Sequence, residues 1–318
     1  MNPLVSIVIP CHNAAPWLAE TLESALAQTW SEKEVIVIDD GSTDESLAIA
    51  RRFEARGVRC LAQPNRGASA ARNRGIRESH GDFLQFLDAD DLLSPEKIER
   101  QVLLLAQAGG NRVASCAWGR FDRDPAEARF VDDLVFRDFA PVEFLLLAGD
   151  RGTMMHPAAW LVPRRLVEAA GPWDERLTLN DDGEYFCRIV LASRGICFCP
   201  EGRALYRSRL HSSLSQRTDA AALRSLFLSI ELFAGHLRSE EDSARVRRSL
   251  ANYYQRFIFT AYPGVSDLVR AAAARVAALG GATIAPEMGR RTAVLAGILG
   301  WKAAWRVKRL LARPRRAT

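Results

Sequence analysis

This 318-residue chain predicts an α/β protein with a mostly parallel sheet flanked by helices, followed by a helical C-terminal extension. Three observations carry that prediction. Short apolar or β-branched runs alternate with helical patterns from the N-terminus onward, the rhythm of strand–helix–strand units. Two of the strands stop on acidic turns, at residues 39–44 and 88–91. Beyond residue 215 only helical periodicity remains.

The first strand is the β-branched run 5–9, ended by Pro10, with Cys11-His12-Asn13 as its loop. Leu18, Leu22, Ala25 and Leu26 then mark a helical face over 17–28. The run 34–38 is the second strand and stops on Asp39-Asp40-Gly41-Ser42-Thr43-Asp44. Gly41 eases that turn, and Ser42 or Thr43 is expected to cap a helix over 45–56. Residues 58–62 form a weaker strand, 65–67 a turn, and 68–78 a small-residue helix bearing Arg72 and Asn73. The run 83–87 is the fourth strand and ends on Asp88, Asp90 and Asp91. Ser94-Pro95-Glu96 reads as a helix start, with cap, proline and acid in order.

The acids therefore gather at the carboxyl ends of parallel strands, where open α/β sheets place ligands. Three close carboxylates repel one another unless a cation joins them, and an oxygen-only set suits Mg2+ or Mn2+. A solvated acidic turn that caps the next helix is the other reading of these residues taken alone.

Residues 113–118 alternate as a strand, while 122–138 are charged and loop-like, an acceptor-facing insertion or a variable loop. At 179–188 an acidic turn opens a helix whose Phe186, Ile189 and Val190 pack inward; acids are favoured at a helix N-terminus in any case. Residues 218–262 are helical, with breaks at Pro263-Gly264 and Gly280-Gly281. Over 292–316, Val294, Ile298, Trp301 and Trp305 share a face beside Lys302, Arg306, Arg309 and Arg313. The apolar part is too short to span a bilayer. A basic helix with tryptophans suits a membrane surface, and a helix packed on the main domain is the alternative.

Hydrophobic residues make up 48% of the chain and charged residues 25%, ordinary values for a globular protein. The net charge of +5 arises largely at the far C-terminus. Elsewhere basic residues alternate with acids, so nucleic acid is not an expected partner. Cys11, Cys60, Cys116, Cys187, Cys197 and Cys199 lack zinc spacing and read as reduced, buried thiols of a cytosolic protein. The N-terminal apolar run breaks at Pro10 and reads as neither signal peptide nor membrane span.

Four segments occur in a telling order: Val5-Ser-Ile-Val-Ile-Pro-Cys-His-Asn13, Glu34-Val-Ile-Val-Ile-Asp-Asp-Gly-Ser-Thr-Asp44, Asn65-Arg-Gly-Ala-Ser-Ala-Ala-Arg-Asn-Arg-Gly-Ile76 and Phe86-Leu-Asp-Ala-Asp-Asp91. Together they resemble the family 2 glycosyltransferases, over residues 4–215. The resemblance implies a GT-A-type, Rossmann-like fold: one nucleotide-diphospho-sugar transferase domain over 1–215, followed by the helical extension 216–318. It also implies inverting, metal-dependent transfer. Pro10 and His12 would line the nucleoside pocket, where many relatives have Tyr or Thr at the His12 position. Asp40 would accept from the base ring, as a uracil N–H requires, and Asp39 would support the loop. That favours a UDP-sugar donor.

Arg66 and Arg72 would sit by the base and diphosphate; a helix-surface salt bridge is the other reading of Arg72. Asp88 would reach the ribose or metal region, Asp90 would bind the Mn2+ or Mg2+ directly, and Asp91 would back the site or cap a helix. His156 would touch the acceptor or the donor sugar, or be a core-edge histidine. The catalytic base maps to Asp182, with Asp181 where the family usually has Glu, and His211 is a candidate third metal ligand. The implied setting is synthesis of a bacterial surface polysaccharide or glycolipid on a saccharide or lipid-linked acceptor, in the cytoplasm or peripherally at the inner face of the membrane. A sugar nucleotidyltransferase is an alternative, but residues 1–25 lack its glycine-rich loop. An inactive carbohydrate-binding or assembly relative is another, against which the joint presence of Asp40, Asp90 and Asp182 argues.

Overall fold

The computed structural model describes residues 2–109, 111–130, 134–153, 155–208, 217–286 and 300–303. Strand β1 (Val5–Cys11) is buried throughout, as its β-branched run requires of a central strand. It is followed by α1 (Leu18–Leu26), β2 (Lys33–Asp40), α2 (Ser46–Arg52), β3 (Val58–Gln63), α3 (Ala68–Glu78) and β4 (Phe83–Phe86). These four strands are parallel. A later two-residue strand, β8 (Val162–Pro163), joins them antiparallel to β4. The sheet order is β3-β2-β1-β4-β8.

Three local expectations are corrected. Pro10 does not end β1, which runs on to Cys11 opposite Asp39. Pro10 lies past Val8–Phe86, the last β1–β4 pair, so its missing N–H breaks no ladder bond on that side. Ser42 and Thr43 do not cap α2. Asp44 accepts from the Ser46 amide at 3.0 Å, and Ser42 Oγ accepts from the Asn13 amide. Nor does the acidic turn 88–91 lead straight into a helix. Strand β5 (Leu92–Leu93) intervenes, and Ser94 Oγ accepts from Arg203 N rather than capping α4 (Lys97–Ala108).

The rest of the chain builds a second sheet and a helical layer. Strand β6 (Val113–Phe121) is followed by β7 (Arg129–Phe130), α5 (Pro141–Arg151), β8 (Val162–Pro163), α6 (Arg164–Ala170), α7 (Asp181–Ala192) and β9 (Ile196–Arg207). Its order is β5-β9-β6-β7, with β6 and β9 parallel. Residues β5 and β9 pair antiparallel at Leu92–Leu205, so the acidic turn is anchored in both sheets.

Helices α8 (Ala220–Glu240), α9 (Ala244–Ala261) and α10 (Ser266–Ala278) close the fold. A single hydrophobic core runs from Val5 and Phe86 through Trp160 and Phe186 to Phe233, Phe257 and Ala272, across the expected boundary at 215. Ser225 Oγ on α8 accepts from the Thr178 and Leu179 amides at 2.8 and 3.0 Å. Asn180, with φ of 58°, donates to Ser229 Oγ and Tyr253 Oη. Helix α9 docks on α5 where Gly149 leaves room: a Cβ there would fall 1.9 Å from the Ser249 carbonyl oxygen. Of the C-terminal segment, Trp301 meets Phe259 and Tyr262 edge-on at 5.1 and 5.4 Å. Residues 292–299 and 304–318 lie outside the described residues.

A fragment ending at residue 215 strips α8 from α7 and removes the partners of Asn180. It is expected to lose cooperative thermal unfolding by circular dichroism, while the full chain melts in one transition.

Candidate active site

Helix α3 carries the central side chain. Its small residues let it ride close on β1: a Cβ at Gly75 would lie 2.2 Å from Val8 Cγ1. That approach brings Arg72 inward, and its side chain is 6% exposed. Nη2 donates to Asp88 at 2.7 Å and Nη1 to Asp181 at 2.8 Å, while the guanidinium lies 4.5 Å from the centre of the Trp173 ring. The surface salt-bridge reading of Arg72 is thereby overturned. Removing one partner of such a buried pair costs about 3–5 kcal/mol, because the other charge stays buried.

The turn 88–91 holds three carboxylates in three different states. Burial would raise Asp88, but Arg72 outweighs it and holds the carboxyl below the ordinary range. Asp91 is fully buried. Its Oδ1 accepts from Arg207 N at 2.8 Å, and its Oδ2 lies 2.9 Å from His156 Nε2. Burial pushes Asp91 up. The carboxylate of Asp90 accepts no hydrogen bond from another residue among those described; only its carbonyl does, from Arg207 Nε. Burial, with Asp91 and Asp88 alongside, pushes it up to about 8. Asp91 thus backs the turn and caps no helix.

His156 is buried rather than open to substrate. Its Nδ1 accepts from Ala158 N at 3.2 Å, which leaves Nε2 to carry the proton toward Asp91. Burial alone would lower His156, yet Asp91 and Asp88 turn the shift upward. Ligand atoms of Asp88, Asp91 and His156 lie within 4.8 Å of one another. With Asp90 beside them, its carboxylate bonded by no other described residue, this oxygen-rich set fits a hard divalent cation. His211 lies outside the described residues.

Asp182 sits in the first turn of α7, where the helix N-terminus favours a carboxylate. Its Oδ1 accepts from Gly183 N at 2.9 Å. Burial and the neighbouring Asp181 push it up to about 6, against the pull of Arg72. Asp181 accepts from Arg72 and from Ser69 Oγ.

On the same carboxyl edge of the first sheet, both acids of β2 hold loops, and Asp39 Oδ2 accepts from Ser42 N at 3.3 Å. Asp40 lies on the face of Ile36 and Ile38, beneath α3, and fastens the 65–67 turn. Its Oδ1 accepts from Gln63 Nε2 and Arg66 N, and its Oδ2 from Gly67 N at 2.7 Å. Asp39 points to the opposite face, and its buried Oδ1 has no partner among the described residues. His12 Nδ1 lies 2.9 Å from the Asp40 carbonyl, and Pro10 is enclosed in β1. Arg66 is 62% exposed and pairs with Glu175 at 2.9 Å.

The sequence reading missed Trp173 and gave Asn73 no part. Asn73 Oδ1 accepts from Trp173 N at 2.8 Å and its Nδ2 donates to Trp173 O, which seats the ring under Arg72. The aspartates, His156 and Arg72 form one cluster; Pro10, His12, Asp40 and Arg66 form a second at the ends of β1 and β2.

Residues 6–169 match the family model described as "Glycosyl transferase family 2". An uncharacterized glycosyltransferase of Rickettsia typhi is 30% identical over 236 residues, 71% of this chain and 72% of that relative. A second, of Rickettsia prowazekii, is 30% identical over 253 residues, 78% and 76% of the two. Among solved structures, S. aureus TarS 1–349 in complex with UDP-GlcNAc matches with a TM-score of 0.72 at 17% identity, covering 98% of this chain and 93% of that one. The mannosyltransferase PcManGT of Pyrobaculum calidifontis, in complex with GDP-Man and Mn2+, matches with a TM-score of 0.54 at 17% identity, covering 98% and 88%. The fold is therefore of the GT-A type.

A carboxylate held above its ordinary range binds a proton in the folded chain that the unfolded chain has released. Its contribution to stability is full at low pH and lost as pH rises through the folded value. Without divalent metal, the melting temperature is expected to fall between about pH 4 and about pH 8, the upper limit set by Asp90 at about 8. His156, also raised, acts in the same direction. Asp90→Asn should flatten the slope, and an unchanged slope in that variant refutes the assignment.

Proposed function

The chain belongs to glycosyl transferase family 2, and from that premise we propose an inverting, metal-assisted transfer of a sugar from a nucleotide diphosphate, with uridine diphosphate favoured as carrier, to an acceptor hydroxyl. One observation carries this reading: a single buried guanidinium, Arg72, ties the acidic turn 88–91 to the acidic start of α7. Donor-side and acceptor-side carboxylates then share one site.

Asp182, raised to about 6, is suited to serve as general base near neutral pH. It takes the proton from the acceptor hydroxyl as that oxygen bonds to the anomeric carbon. The bond from that carbon to the diphosphate oxygen breaks on the opposite side, and the configuration inverts. Asp90 and Asp88 would hold the cation, with the Asp91–His156 pair behind them and His211 a further candidate. A bound Mn2+ or Mg2+ supplies positive charge against the charge that builds on the departing diphosphate. Asp39 Oδ1, the unpartnered acceptor at the end of β2, takes the base N–H, and Asp40 keeps the 65–67 turn in place. The acceptor is a saccharide or lipid-linked saccharide of a bacterial surface polymer or glycolipid. The basic segment 292–318 reads as a contact with the inner membrane surface.

Asp182→Asn should lower transfer about 10²- to 10⁴-fold, the usual contribution of a positioned base. Calorimetric binding of uridine diphosphate with Mn2+ should stay near wild type. Transfer at the wild-type rate would move the base to Asp181.

Asp39→Asn should weaken uridine diphosphate binding with little loss of melting temperature. Asp40→Asn should lower the melting temperature, since both its oxygens hold the turn. The reverse pattern would return the base contact to Asp40.

A further inference from the structure

Arg207, the last residue of β9, is an enclosed cation that the proposed chemistry leaves unused; its side chain is 1% exposed. The guanidinium lies between two rings, 4.5 Å from the centre of Trp17 and 4.4 Å from that of Phe121. Nε donates to the Asp90 carbonyl at 2.9 Å, Nη1 reaches the Asp122 carbonyl at 3.5 Å, and Nη2 bonds the Glu20 carboxylate. The backbone N–H of the same residue donates to Asp91 Oδ1.

Two other carbonyls of the turn are fixed as well. Ala89 O accepts from Thr21 Oγ1 at 3.0 Å, and Asp88 O from Asp91 N at 3.1 Å. The peptides of the turn are therefore held, and so are the carboxylates of Asp88 and Asp91. Asp90 alone of the three has a held peptide and a carboxylate that no other described residue bonds. Arg207 does both parts of that work: its side chain fixes the carbonyl of Asp90, and its backbone fixes the neighbouring acid. Enclosing a charge is costly without close partners. Glu20 and the two ring faces offset that cost, and a side chain too short to reach or without an N–H donor would leave the Asp90 carbonyl bare.

We propose that Arg207 is a positioning residue that sets how tightly the acidic turn holds its divalent cation, by fixing the Asp90 peptide so that the free carboxylate is presented for coordination. The proposal rests on the metal-assisted reading above. Glu20, at 44% exposure, acts through Arg207 by holding the outer end of its guanidinium.

The test is calorimetric binding of uridine diphosphate to the full chain across a Mn2+ titration, beside melting temperatures without metal. Loss of a partner behind a metal ligand costs about 10- to 100-fold in metal affinity. Arg207→Gln should raise the Mn2+ midpoint by that factor, with nucleotide affinity recovering at saturating Mn2+. Arg207→Lys, which can still reach one carbonyl, should shift it less. Val102→Ala, a core change on α4, should lower the melting temperature and leave the midpoint in place. An unmoved midpoint in Arg207→Gln overturns the proposal, as does an equal shift in Val102→Ala. Should Arg207→Gln not fold, Glu20→Gln decides: a smaller shift in the same direction supports the proposal, and none overturns it. If the wild-type chain shows no Mn2+-linked binding, the reading of the site has failed and this inference fails with it.

Discussion

The site depends on one buried ionic bridge. Arg72 reaches Asp88 at the end of the first sheet and Asp181 at the start of α7, residues 93 positions apart by their numbers, and rests on Trp173. Without a cation between them, the turn 88–91 and the α7 terminus would face each other as like charges in a poorly solvated space. The bridge fixes their separation before any substrate is present. It also leaves Asp90 and Asp182, the carboxylates proposed as metal ligand and base, outside its direct bonds.

Much of this was legible in the sequence. The runs at 5–9, 34–38 and 83–87 read as buried strands and are found as such, the last ending at Phe86, and the small-residue helix at 68–78 appears with those bounds. The acids stood at strand ends and were found there. What escaped was mostly set by distant partners. Spacing cannot tell which of two adjacent acids turns beneath α3, so the bonds of Asp40 to the Arg66 and Gly67 amides carry no signal in it. Nothing local separates Arg207 from Arg203 four residues earlier; only the rings of Trp17 and Phe121 do. Helix α5 was missed because Phe144-Leu-Leu-Leu147 is a continuous apolar run without a period.

The C-terminal helices help to position the candidate site. The left-handed backbone at Asn180 is uncommon for a residue other than glycine, and it turns the chain into α7 just before Asp181 and Asp182. Ser225, Ser229 and Tyr253 hold that turn from α8 and α9. These helices thereby fix where the acidic helix begins.

The close seat of α3 on β1 has a consequence for how the protein tolerates change. At Gly75 the helix rests against Val8 with no room for even a methyl group, so this residue works as a depth stop for the whole helix. Arg72 stands one turn away on the same element, and its two carboxylate bonds leave little slack. Any side chain at position 75 lifts the helix and lengthens both bonds together. A packing substitution far from any substrate atom would then mimic a defect in the active site, and variation at Val8 toward a smaller residue is the change that would relieve it.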